Sequence, residues 1–123
     1  MNKTYRTDVQ LLTKILQNQV NIENAIKRFG CNEKNLENDT MVFDLCAFYM
    51  AQIGEEIKNL TDTTKKSLTF VDVNILRKFR NMIDHTYDKV NKSVLKAYIF
   101  LVISEKSKKE IKDRIMYCRQ HAK

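Results

Sequence analysis

Leu12, Ile15, Ile22, Ile26 and Phe29 recur at spacings of three, four and seven, with Val9 and Leu16 flanking the same stripe. That is the period of an α-helix with one buried face, and it predicts a long first helix over about residues 4–29. Gly30 follows it in "FGCNEKNLENDT", where a left-handed C-terminal cap is wanted. The next apolar stretch, "MVFDLCAFYMAQI", is hydrophobic on most sides. Capped by Asp39 or Thr40 and running through Ile57 to Leu60, it predicts a second helix central to a bundle. Gly54 inside it costs about 1 kcal/mol of helix stability relative to alanine, so it marks either a close approach by another backbone or a tolerated surface position.

The polar, threonine-rich "TDTTKKSLTF" reads as a connection with at most a short helical turn. A third helix begins at Asp72 or Asn74 and is expected to reach Tyr87 or Val90. On it Ile75, Leu76, Phe79, Met82, Ile83 and Val90 gather on one arc, while Arg77, Arg80, Asn81, Asp84, His85 and Asp88 occupy the other. "SVLKAYIFLVI" predicts a fourth helix from a Ser93 cap. Ser107 and Glu110 fit a capping box ahead of a fifth, about 107–120, either distinct from the fourth or continuous with it. The expectation is an all-α fold, an antiparallel bundle of four to five helices, in one domain over residues 1–123.

Composition strengthens the helical reading: there is no proline, only two glycines, and 30% of the residues are charged. Turns in β proteins lean on Gly and Pro. Cys31, Cys46 and Cys118 are odd in number and widely spaced, with neither a Cys-x-x-Cys pair nor a nearby histidine to complete a zinc set, so reduced thiols are expected. "MNKTYRTDVQ" lacks the apolar core of a signal peptide, and the longest apolar run, 97–103, is far too short for a bilayer. A soluble, cytoplasmic protein with no membrane partner is the expectation.

The charge is uneven. Residues 1–60 carry 7 basic and 8 acidic side chains, and residues 61–123 carry 15 and 7, so the net +7 lies in the second half. Such an excess suits a polyanion-facing surface, although a run like "KSKKEIKDR" is more often a solvated helix face.

Within that basic half stands "RNMIDHTY", residues 80–87, in a chain with only two histidines. Arg80 and His85 fall on the polar arc, each with a polar neighbour one turn away, Asp84 for Arg80 and Asn81 for His85. Spacing alone leaves this open, because an exposed Arg and His are commonly solvated or paired with carboxylates. No Gly-rich phosphate loop, zinc signature, or Ser or Cys nucleophile with an identifiable base competes with it. His121, in "CRQHAK", reads as a solvated tail residue, and Phe43, Phe48, Tyr49 and Phe100 as core.

"RNMIDHTY" resembles the Arg-x4-His-x-Tyr motif of the HepT-like toxins, a branch of the HEPN ribonuclease superfamily. "AQIGEEIKNL" is similar to that family's Ile-Gly-Glu helix, which precedes the motif helix by a comparable interval, and "KEIKDRIMYC" to its final amphipathic helix. The resemblance covers most of residues 40–120. "TFVDVNILRKF" departs from it in lacking the Pro-Trp often found there. The resemblance implies a HEPN-like helical bundle that dimerises and cleaves RNA without a metal or other cofactor, as the toxin of a pair with an MNT-type nucleotidyltransferase antitoxin. His85 would then be the general acid/base, Arg80 the phosphate clamp, and Asn81 a substrate-positioning residue. Tyr87 would be the tyrosine to which the antitoxin attaches AMP, adding charge and bulk that repel RNA.

The chemistry suits those residues. Attack by the RNA's own 2′-hydroxyl needs a group that moves protons near neutral pH and a cation for the charge growing on the phosphate. Imidazole and guanidinium fill these roles. Five residues correspond to about 140° of helix rotation, so Arg80 and His85 of one straight helix diverge, and a composite cleft between two copies is expected. Two other readings stay open. One is a non-catalytic helical module that binds nucleotide or RNA as partner of a nucleotidyltransferase. The other is a plain dimeric scaffold.

Overall fold

The computed structural model describes residues 3–84 and 91–122, and every described element is helical. Six α-helices run in the order α1 (Tyr5–Arg28), α2 (Thr40–Lys58), α3 (Asp62–Ser67), α4 (Val73–Ile83), α5 (Lys92–Val102) and α6 (Glu105–His121), with a 3-10 turn at Leu36–Asn38 before α2. The chain is an all-helical bundle. Packing centres on α1 and α2: α1 lies against both α2 and α6, and α2 against α4. No helix among the described residues is long and apolar enough to cross a membrane.

The first helix closes as its sequence predicts. Gly30 sits at φ 69°, its N–H donates to the Lys27 carbonyl (3.2 Å), and the Cys31 N–H donates to the Ile26 carbonyl (3.0 Å). This double closure needs the left-handed conformation that glycine adopts without steric cost. Asp39 caps α2 by accepting from the Val42 N–H at 3.1 Å. The α2 side chains Phe43, Cys46, Met50 and Ile53 are fully buried, as the centre of a bundle requires.

Four boundaries differ from expectation, each for a local reason. "DTTKKS" forms a six-residue helix capped by Thr61, too short for any hydrophobic period to reveal. The motif helix closes at Ile83, where the Asp84 N–H reaches back to the Arg80 carbonyl at 3.0 Å, so its expected continuation to residue 87 or 90 passes beyond the described residues. Asn91 caps α5 in place of Ser93, accepting from the Val94 N–H at 3.2 Å. The last two helices are distinct. Ser104 starts α6, and Ser107 is a buried third residue that donates to the Leu101 carbonyl (2.7 Å) across the joint.

Buried polar groups fasten the helices at defined points. Asp8 is fully buried; its Oδ1 accepts from the Thr61 N–H (2.9 Å), and its Oδ2 from the hydroxyls of Thr61 (2.6 Å) and Thr64 (2.7 Å). Arg114 of α6 donates from Nε to the same Thr64 oxygen at 3.1 Å, so one cluster ties α1, α3 and α6. Lys108 is buried against Glu23 (3.0 Å) and Glu105 (2.9 Å), joining α6 to α1. These two carboxylates hold its ammonium charged, pushing its pKa above the ordinary lysine value, with the Glu105 hydrogen bond the larger cause.

Gly54 meets a side chain, not a backbone. A Cβ built there lies 3.4 Å from the Leu76 Cβ, ordinary van der Waals contact. Gly54→Ala should therefore be accepted, with a gain of up to about 1 kcal/mol from helix propensity. Gly54→Val adds two methyl branches beside Leu76 and should cost about 1–3 kcal/mol by pressing α4 from α2. Urea unfolding of the two variants checks the opposite signs.

Candidate active site

The motif helix is held at its start by a buried phenol. Tyr98 of α5 donates to the Phe70 carbonyl (2.8 Å) and accepts from the Asp72 N–H (2.8 Å), fixing the turn from which α4 departs. Burial pushes this hydroxyl up to about 12, so it remains a neutral donor. Asp72 then caps α4, its carboxylate accepting from the N–H groups of Asn74 (3.0 Å) and Ile75 (3.2 Å). Leu76, Phe79 and Met82 turn into the core. This leaves Arg77 and Arg80 exposed and Asn81 half-buried at the rim.

Arg80 does not stand free. Its Nη1 donates to Glu55 Oε1 of α2 at 2.6 Å, and its Nε lies 3.8 Å from Asp84 Oδ2 one turn on. Both partners keep about half their side-chain surface in water, Arg80 56% and Glu55 46%. An ion pair so exposed is worth about 0–1 kcal/mol. The guanidinium is thus oriented but cheaply released. Glu55 follows Gly54, which packs against Leu76, and with the Glu55–Arg80 pair "IGEE" and "RNMID" meet across one helix pair.

On the same face of α2 as Glu55, at positions 41, 45, 48 and 52, stand Met41 (84% exposed), Leu45 (37%) and Phe48 (46%), then Gln52. Phe48, expected in the core, is therefore on the surface, edge-on to Tyr49 with ring centres 5.8 Å apart. Ile83 adds another exposed apolar side chain at the end of α4.

His85 and Tyr87 lie outside the described residues, and projecting them from α4 crosses its C-cap at Asp84. The structure thus positions Arg80 and Asn81 of the four residues singled out by sequence. It adds Glu55, whose signal was its place beside Gly54 in a segment already linked to the motif. His121 is exposed, as expected of a solvated residue near the C-terminus, and ends α6 stacked on Tyr117, ring centres 4.1 Å apart, with Nδ1 2.8 Å from the Tyr117 carbonyl. The Arg114 guanidinium also lies over the Tyr117 ring, 4.1 Å from its centre.

Among the described residues, no three His, Cys, Asp or Glu side chains are grouped as metal ligands would be. Cys31, Cys46 and Cys118 are free thiols, and burial pushes Cys46 up to about 12, too high for a nucleophile at neutral pH. Compared with models of protein families, with curated proteins and with solved structures, the chain matches none.

Proposed function

We propose that this chain is a metal-independent endoribonuclease of the HepT-like, HEPN kind, acting as a homodimer and silenced by a nucleotidyltransferase antitoxin. The observation that carries the reading is the meeting of the two motif segments: Glu55 holds Arg80 at 2.6 Å, beside the Gly54–Leu76 contact. A cation held in place by a weak carboxylate partner is suited to trading that carboxylate for a phosphate. The exposed stripe of Met41, Leu45 and Phe48 on the Glu55 face supports a second copy as its cover, since apolar side chains at helical spacing bury well against their own symmetry mates.

In this mechanism, Arg80 binds the non-bridging oxygens of the scissile phosphate, and Asn81 orients it. His85 takes the proton of the 2′-hydroxyl as that oxygen attacks phosphorus, and returns a proton to the departing 5′-oxygen. The products are a 2′,3′-cyclic phosphate and a free 5′-hydroxyl. Tyr87 is the site at which the partner enzyme joins the phenolic oxygen to the α-phosphorus of ATP, releasing pyrophosphate and leaving AMP beside the cleft.

The test is incubation of the purified protein with total RNA in EDTA, with end-group analysis of the fragments and sedimentation of the protein alone. Cleavage leaving cyclic phosphate ends, from a dimeric protein, is the expected result. A dimer that leaves the RNA intact would instead favour the non-catalytic binding module, for which exposed cations suffice.

A further inference from the structure

A groove of about 570 Å³ runs between α2, α3 and α4 and reaches Arg80. Cations from three helices line it: Lys58 at the end of α2, Lys65 and Lys66 in the last turn of α3, and Arg77 and Arg80 on α4. Among the described residues Glu55 is its one acidic lining residue, and Arg80 occupies that carboxylate. Lysines at helix C-termini complement the helix dipole, and this accounts for each lysine singly. It does not account for their convergence on one groove. Three lysines outside the groove are paired with carboxylates, Lys96 with Glu37, Lys108 with Glu23 and Glu105, and Lys109 with Asp113, and others on the surface stand singly; what sets the groove apart is that its cations face one another. In the groove, Lys58, Lys65, Lys66 and Arg77 have no carboxylate within 4.0 Å among the described residues.

From this the geometry points to a track for a single-stranded RNA backbone, entering past Lys65 and Lys66, passing Lys58 and Arg77, and ending on Arg80. The inference deepens the nuclease reading and rests on it for the destination of the strand. Like charges set along a concave, partly apolar wall focus the field on a bound polyanion, and Val71 and Leu76 give that wall its apolar floor. No aromatic ring lines the groove among the described residues. Base stacking therefore contributes little, and binding is dominated by phosphate contacts, insensitive to sequence and steeply dependent on salt.

The experiment measures anisotropy of a labelled 2′-O-methyl oligoribonucleotide, which lacks the attacking hydroxyl and so reports binding without cleavage, over a salt series. For a single strand each phosphate contact contributes about 0.7 to the slope of log K against log salt. Lys65→Ala/Lys66→Ala should flatten the slope by about 1.4 and weaken binding about tenfold near physiological salt. Lys65→Arg/Lys66→Arg should restore both, and Lys106→Ala/Lys112→Ala, which removes the same charge from α6, should change neither.

An unchanged slope in the groove variant, or an equal loss in the α6 variant, overturns the track. So does competition by an acidic peptide of equal charge that matches the oligonucleotide, since the groove would then serve protein. Cleavage of unmodified RNA, followed in parallel, separates the two claims. Groove-dependent binding by a protein that never cleaves leaves the track and removes the nuclease; cleavage indifferent to Lys65 and Lys66 does the reverse.

Discussion

Alanine at His85 is expected to slow RNA cleavage by about 10²- to 10⁴-fold, the usual contribution of a positioned general acid/base. Arg80→Ala should cost about 10²- to 10³-fold, since it removes the cation facing the charge that develops on the phosphate. Single-turnover cleavage reads both. For Arg80→Ala the loss should not come from unfolding, since the pairs Arg80 makes with Glu55 and Asp84 are exposed and weak. Unaltered thermal melts for Arg80→Ala would show that the effect is chemical.

Mixing the two inactive variants then probes where the site lies. If Arg80 of one subunit works with His85 of the other, a mixed dimer holds one intact site, and equal mixing recovers about a quarter of wild-type activity. If both residues act within one subunit, mixing recovers nothing. Wild-type cleavage rates in either single variant would remove the residue concerned from the reaction.

A second large effect is expected far from that site. Asp8→Ala deprives the Thr61 N–H and the Thr61 and Thr64 hydroxyls of their shared acceptor, where Asp8 and Thr64 are fully buried and Thr61 partly so. Stranded donors and lost charge-assisted bonds should cost about 3 kcal/mol, lowering Tm by about 10 °C for a chain of this size. Thr64→Val attacks the same cluster from the other side, so the double variant should fall short of the summed losses by about 1 kcal/mol or more. Additive losses, or a melting temperature that ignores Asp8, would mean the cluster fills space and little else.

Asp8 also illustrates what sequence could and could not disclose. The periodic apolar positions gave α1 and α2 nearly to the residue, because burial of one face is written locally. Gly30 and Asp39 were readable for the same reason, as backbone geometry and capping depend on a few neighbours. Asp8, by contrast, has its partners 53 and 56 positions away, so nothing near it marks it as buried. "TDTTKKS" looked like a polar connection, and its Thr61 and Thr64 are those partners.

The candidate site divides along the same line. Arg80 was legible from its motif, whereas the expected helix end at Tyr87 or Val90 lies outside the described residues, in which α4 spans Val73–Ile83. Glu55 was visible as part of a motif but not as the carboxylate that meets Arg80, a contact spanning 25 residues. Lys58, Lys65 and Lys66 belong to no motif and so were not singled out; only the packing of α2, α3 and α4 gathers them.

The Glu55–Arg80 pair makes the protein carry its own competitor. Because that pair is exposed and worth only about 0–1 kcal/mol, an anion that takes Arg80 gives up little by displacing Glu55. On the proposed track, a chain of phosphates anchored on Lys65 and Lys66 would bring its leading group to Arg80 at an effective concentration that a lone inorganic phosphate does not reach, so the site would sort ligands by valency.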